Sequence, residues 1–156
     1  MPFKAKPIRT ELFVPGNKED WMRKALKYGA DALILDLEDS VPVENKPEAR
    51  VLVSKMLQEL GEAGQTLVVR VNRLETGITA EDLEAITSPY LYSVMLPKVQ
   101  SPDDVVEVDT LLKHFERKAG LETGRIFIDP ALETAQGIRQ SYGIATASPR
   151  VAHMGA

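Results

Sequence analysis

Short β-branched runs in this chain end in residues that could do chemistry. Pro15-Gly16 follows the first run and Asp36-Leu37-Glu38-Asp39-Ser40 closes the second. Arg70 and Asn72 stand at the third, Pro97-Lys98 at the fourth, and Asp129 with Glu133 at the fifth. In parallel α/β folds ligands gather at the carboxyl ends of strands, so these residues form one candidate site. An acidic cluster joined by a glutamate from another strand suits a hard divalent cation such as Mg2+ or Mn2+, which prefers carboxylate and water oxygens. Arg70 lies in the apolar run Leu67-Val68-Val69-Arg70-Val71, and a guanidinium buried there needs an anionic partner. That partner is either Asp36 or Glu38 in a structural ion pair, or a bound substrate. Taken singly, Glu38 and Asp39 also read as a solvated loop, Glu133 as a first-turn acid complementing a helix dipole, and Lys98 as a surface lysine. His114 reads as structural, and His153 falls near the end of a sixth apolar run.

These residues require elements to carry them. Strands are predicted at Glu11–Val14, Ala32–Asp36, Thr66–Val71, Ser93–Leu96, Arg125–Ile128 and Val151–Met154, several apolar throughout, as strands covered on both faces are. Five helices alternate with them. The first opens at Asn17 as N-cap and stops at Gly29, and the second spans Lys46 to Leu60 with an apolar stripe ending before Gly61. A short third runs from about Ala80 to Ile86, led by Thr79. The fourth has Ser101 as N-cap, Pro102 at its first position and a basic last turn before Gly120. The fifth extends from near Thr134 to about Ala147.

The alternation predicts an α/β protein with a parallel sheet. Residues 11 to 151 hold five βα units of 28 residues each, so eight units would need about 224 residues, near the ~250 of a (β/α)8 barrel. A doubly wound sheet of five or six strands also fits that length. The run Val151-Ala152-His153-Met154-Gly155-Ala156 has no covering helix after it, and the whole of 1–156 reads as the N-terminal portion of a single barrel domain. The 156 residues carry 19 Lys+Arg against 23 Asp+Glu, a net charge of −4 without a basic patch, which argues against nucleic acid. No stretch approaches the ~20 apolar residues of a membrane span. The start, Met1 to Lys6, lacks the apolar segment of a secretory signal. The absence of cysteine excludes a thiol nucleophile and disulfides, and a reducing cytoplasm is expected.

Five segments in order resemble the citrate lyase beta-subunit family of the HpcH/HpaI aldolase superfamily, which includes citryl-, malyl- and citramalyl-CoA lyases. They are Arg9–Gly16, Gly29–Pro42, Arg70-Val71-Asn72, Met95–Lys98 and Leu132–Ala135, and together they cover essentially the whole chain. The resemblance implies a TIM-type (β/α)8 barrel, incomplete here at about five βα units plus a sixth strand. It implies Mg2+-dependent cleavage of a carbon–carbon bond in a 3-hydroxyacyl-CoA or acyl-carrier thioester. On that likeness Glu133 is a direct metal ligand, Glu38 and Asp39 bind the metal's water shell, and Arg70 holds a substrate carboxylate or carbonyl. Arg9, Phe13 and Lys18 would line the thioester carrier's path, and Lys98 would neutralise charge near the site.

Such chemistry needs these groups. Retro-Claisen cleavage takes a proton from the 3-hydroxyl and expels the enolate of an acyl thioester, leaving an oxo acid; a cation chelated by that hydroxyl and its carboxylate acidifies it. The resemblance places a second ligand, an aspartate, after a Gly-Ala-Glu segment, so it is expected beyond Ala156, and the chain alone is expected to be impaired. A homo-oligomer, trimeric or hexameric, is also implied. Two other functions stay open: a thioester hydrolase on the same scaffold, and a non-catalytic partial barrel that serves as an assembly module through an open sheet edge.

Overall fold

A computed structural model describes residues 4–155; the signal-sequence reading at Met1–Phe3 and the terminal Ala156 lie outside the described residues. Five parallel strands, β1 (Glu11–Pro15), β2 (Ala32–Asp36), β3 (Thr66–Arg70), β4 (Leu91–Leu96) and β5 (Phe127–Pro130), pair in chain order. Helices α1 (Glu19–Ala25), α2 (Lys46–Glu62), α3 (Thr79–Ile86), α4 (Pro102–Lys118), α5 (Ala135–Arg139) and α6 (Ser141–Thr146) follow them. Consecutive pairing excludes the strand-order reversal of a doubly wound sheet and matches the sequential winding of a barrel. The sheet is open, with β1 unpaired along its outer edge among the described residues.

Strand alternation divides the side chains into two layers. Leu33 and Leu35 of β2, Leu67 and Val69 of β3, and Leu91, Val94 and Leu96 of β4 pack with Met56, Leu57, Leu83, Val108 and Leu112 of the helices in the main core. The opposite face carries a smaller cluster of Ala32, Ile34, Val68, Met95 and Ala131. Asp36 pairs in register with Arg70, Arg70 with Met95, and Met95 with Asp129, so charged groups of three strands share one row on that inner face.

The structure departs from the sequence reading in several places. The sixth strand is not a ladder: Val151 and Gly155 make isolated parallel bridges to Ile128 and Ala131, so residues 151–155 run beside β5 without full pairing. The predicted fifth helix is two helices that meet at Gln140, whose N–H is shared between the Gln136 and Gly137 carbonyls. The N-cap of α1 is Lys18 rather than Asn17, because the Lys18 N–H turns back to the Pro15 carbonyl. Helix α2 continues through Gly61 to Glu62; the Tyr90 ring lies where a Cβ at 61 would come within 2.6 Å, so glycine there serves packing rather than termination. Thr79 begins α3 rather than capping it and donates its hydroxyl to the Asn72 carbonyl instead. Helix α4 matches its boundary signals fully, with Ser101 and Asp104 forming a reciprocal capping box.

A buried ionic knot fixes the segment after α6. Arg150 donates to Asp109 at 2.6 Å and to both Glu116 oxygens at 2.8 and 2.6 Å, while Glu116 also accepts the Gly124 and Ile126 N–H groups. All three side chains are buried, and the opposite charges repay one another's desolvation. Asp109 and Glu116 stand seven residues apart among the apolar positions of α4, a spacing that could have marked them in the sequence as buried acids.

Candidate active site

The carboxyl end of β2 is built around Asp36. Its two carboxylate oxygens receive Arg70 Nε at 2.7 Å and Arg70 Nη2 at 2.8 Å, a bidentate fork between neighbouring strands. They also accept the N–H groups of Glu38 and Ser40, which folds the Leu37–Ser40 turn over the strand end. Burial by itself would raise the Asp36 carboxyl, but Arg70 and these N–H donors hold it down to about 2. Arg70 is raised in turn by the same carboxylate. Its guanidinium carbon lies 4.9 Å from the centre of the Phe13 ring, so a ring from β1 covers the fork's face.

With Nε and Nη2 committed to Asp36, Nη1 faces the acidic turn, 3.5 Å from Glu38 Oε2 and 3.8 Å from Asp39 Oδ2. Glu38 is 7 % exposed, and its Oε2 has no hydrogen-bond partner within normal geometry. The turn is braced from behind: Lys46 Nζ donates to the Leu37 and Glu38 carbonyls at 2.7 and 2.9 Å, and Asn72 Nδ2 to the Leu37 carbonyl at 3.1 Å. Asp82 receives both Asn72 and Arg50, linking the brace to α2 and α3.

Lys98 closes the cluster from the β4 side. Its Nζ lies 2.7 Å from Glu38 Oε1 and 3.3 Å from each Asp39 oxygen, and its main-chain N–H donates to Glu133 Oε2 at 3.0 Å. The structure therefore brings Glu38, Asp39, Arg70, Lys98, Glu133 and Phe13 to one end of the sheet. Lys18 is exposed at the start of α1 and makes no side-chain contact within hydrogen-bonding distance among the described residues. Arg9 is not brought there: it sits before β1, at the amino end of the strands, where it grips Asp31 with side-chain and main-chain donors. Strand polarity decides this, since a residue two positions before a strand emerges at the end opposite the site.

The donor set is all oxygen, the chemistry that Mg2+ or Mn2+ takes. A nine-tenths-buried carboxylate oxygen without a donor, beside an ammonium held on three carboxylate oxygens, is an environment already arranged for positive charge. Among the described residues no three acidic or imidazole groups converge closely enough to chelate a cation by themselves. Lys98 instead links the oxygens of Glu133, Glu38 and Asp39, which are donors of the kind such a cation takes.

Sequence reading set Asp129 among the residues at the end of the fifth strand but gave it no role, and the structure buries it. Asp129 accepts a very short hydrogen bond from Ser93, its other oxygen has no partner, and burial, with a smaller push from the Glu11 charge, raises it to about 6 against opposing effects of Ser93 and His153. Its burial could have been read from a carboxylate in an otherwise apolar strand.

An arginine anchored on one strand, an acidic turn on its neighbour and a glutamate beyond a third stand together at the carboxyl ends of sequentially wound βα units, the arrangement of a barrel-type α/β protein. The chain belongs to the HpcH/HpaI aldolase/citrate lyase family, which it matches over residues 9–155. It is 35 % identical over 143 residues to the citrate lyase beta subunit of Leuconostoc mesenteroides subsp. cremoris, covering 92 % of this chain and 47 % of that one. It is 35 % identical over 156 residues to an L-malyl-CoA/beta-methylmalyl-CoA lyase of Cereibacter sphaeroides, covering 98 % and 49 %. A (3S)-malyl-CoA thioesterase of the same species is 34 % identical over 131 residues, covering 84 % and 46 %. Among solved structures, the CitE protein of Mycobacterium tuberculosis in complex with magnesium, acetoacetate and coenzyme A superposes with a TM-score of 0.67 at 30 % identity, covering 94 % of this chain and 48 % of that one. The chain thus spans about half the length of the relatives it matches. No helix of the described residues is long and apolar enough to cross a membrane.

Proposed function

We propose that this chain is the N-terminal portion of a Mg2+-dependent carbon–carbon lyase that cleaves a 3-hydroxyacyl-CoA or acyl-carrier thioester, of the citryl-, malyl- or citramalyl-CoA type, into an acyl thioester and an oxo acid. The observation that carries this reading is the Asp36–Arg70 fork opening onto the Glu38–Asp39–Lys98–Glu133 cluster at the strand ends. Glu133 is the direct protein ligand in this proposal, joined by an aspartate from a segment following Ala156. Glu38 and Asp39 would accept hydrogen bonds from the waters of a bound cation. When bound, the cation supplies Lewis acidity to the substrate hydroxyl and its neighbouring carboxylate. Arg70, rigid because Asp36 holds two of its nitrogens, offers Nη1 to the carboxylate or carbonyl oxygen on which charge sits. Phe13 limits the guanidinium's motion, and Lys98 offsets the acidic excess.

Arg9, 84 % exposed and paired with Asp31, is available to a carrier's phosphates only by way of the amino end of the sheet, so the carrier path is assigned to Phe13 and Lys18. The same reading places the protein in the cytoplasm as a homo-oligomer, trimeric or hexameric, and assigns it no nucleic-acid or membrane partner. The test is product analysis: the intact protein with Mg2+ should release acetyl-CoA or propionyl-CoA together with an oxo acid, and chelation by EDTA should stop it. No acyl-CoA from any of the three thioesters overturns the lyase. Free CoA without cleavage of the carbon chain would favour thioester hydrolysis, the reading supported by similarity to a malyl-CoA thioesterase.

A further inference from the structure

Lys98 is the only non-glycine residue among those described whose main chain lies in the left-handed region, at φ 52. Side chains other than glycine avoid that region because Cβ crowds the following carbonyl, and such residues cluster at functional sites. The conformation aims two donors of one residue at two different strand ends. The N–H reaches Glu133 Oε2, and Nζ reaches Glu38 Oε1 and both Asp39 oxygens. These are the oxygens that the proposed function gives to a metal and to its waters. Beside the cluster lies an open cavity of about 320 Å³ in which Glu75 and Glu107 offer other negative partners to Lys98. The lysine side chain is 31 % exposed and itself lines that cavity.

Resting on the lyase reading for the identity of the ligands, we propose that Lys98 is a built-in counter-cation. Its ammonium occupies the water-shell acceptors of the metal-free protein, and divalent metal must displace it towards the Glu75–Glu107 cavity. The residue is therefore a positioning residue that sets metal affinity, not a catalytic one. While in place it holds the carboxylates together against their mutual repulsion, and as a like charge it weakens metal binding. Once displaced into water, a unit charge about 6 Å from a dication still weakens its binding by about tenfold at the dielectric of bulk water.

The experiment is Mn2+ titration of the intact protein, followed by electron paramagnetic resonance, for wild type, Lys98→Met, Lys98→Arg and Glu133→Gln. Alongside it, reductive methylation of Lys98 in the wild type is followed by mass spectrometry with and without Mg2+. Expected are binding that needs Glu133, a Kd lowered about tenfold in Lys98→Met, a near-native Kd in Lys98→Arg, and faster Lys98 labelling with Mg2+. Glu133-dependent binding that is unchanged or weaker in Lys98→Met, or labelling indifferent to Mg2+, overturns the counter-cation while leaving the lyase reading intact. Absence of Glu133-dependent binding overturns the lyase reading's metal site and this inference with it. If Lys98→Met does not fold, the wild-type labelling decides.

Discussion

Arg70 is the residue on which the site turns, and its environment gives a direct expectation. Removing one preorganised charged donor from an active site costs about 10²–10³ in kcat. On the proposed lyase reading, Arg70→Ala should lose that much in steady-state turnover of the thioester, and Arg70→Lys should recover little, because one ammonium cannot bind Asp36 with two nitrogens and still present a third. Two buried aspartates respond to pH in opposite senses. Asp36, held near 2 in the fold against an ordinary value of 3.8, contributes stability that is present above about pH 4 and lost as pH falls towards 2. Asp129, raised to about 6, favours the fold at low pH, and its contribution is lost as pH rises through 6. Asp129→Asn, which cannot ionise, should therefore raise the melting temperature at pH 8 by the equivalent of ~2–3 kcal/mol and change it much less at pH 4. Equal shifts at both pH values would show that the carboxyl is not perturbed. Arg70 was legible in the sequence because a charge inside an apolar run is conspicuous, but whether it serves a structural pair or a substrate was not. The fold shows the structural pair, with two nitrogens on Asp36, and leaves the third facing the acidic cluster.

Elements carry their own consequences. The segment after α6 is held beside β5 by Arg150 on Asp109 and Glu116 rather than by a strand ladder. Arg150→Met would leave two buried carboxylates uncompensated and should destabilise by about 3–5 kcal/mol in urea unfolding. Helix α5 approaches the β4–α4 loop closely at Gly137, where a Cβ would fall 2.2 Å from the Val99 carbonyl oxygen. Gly137→Ala must push α5 away from that loop, and with it Glu133 from the Lys98 N–H. Lower stability together with weaker Mn2+ binding is expected; unchanged Mn2+ binding would separate α5 from the site. The helix boundaries set by local chemistry, such as the Ser101 capping box, were readable directly. The break at Gln140 and the passage of α2 through Gly61 were not, since both answer to neighbours distant in sequence.

At the scale of the whole molecule the open sheet leaves apolar side chains uncovered at both ends of its winding. Phe13, Trp21 and Tyr28 are 49, 56 and 75 % exposed on the β1–α1 side, and Ile138, Tyr142 and Met154 are 59, 83 and 41 % exposed beyond β5. Exposed apolar surface beside an unpaired parallel edge favours association. The 156-residue chain should show a mass that rises with concentration in light scattering, with a blue shift of fluorescence from Trp21, the single tryptophan. A concentration-independent monomer with unshifted emission would count against that association.

Local information in the sequence determined the βα alternation, the α2 and α4 helices and the candidate groups at the strand ends, because hydrophobic period, capping residues and charges in apolar runs act over a few residues. Tertiary structure alone decided which of those groups meet. Residues 36, 70, 98 and 133 are brought together by strand register and by the left-handed turn at Lys98, and Arg9 is sent to the opposite end by strand polarity. Strand pairing and winding join segments 20 to 40 residues apart, so a pattern read over a few residues narrows the register without saying which strand ends meet.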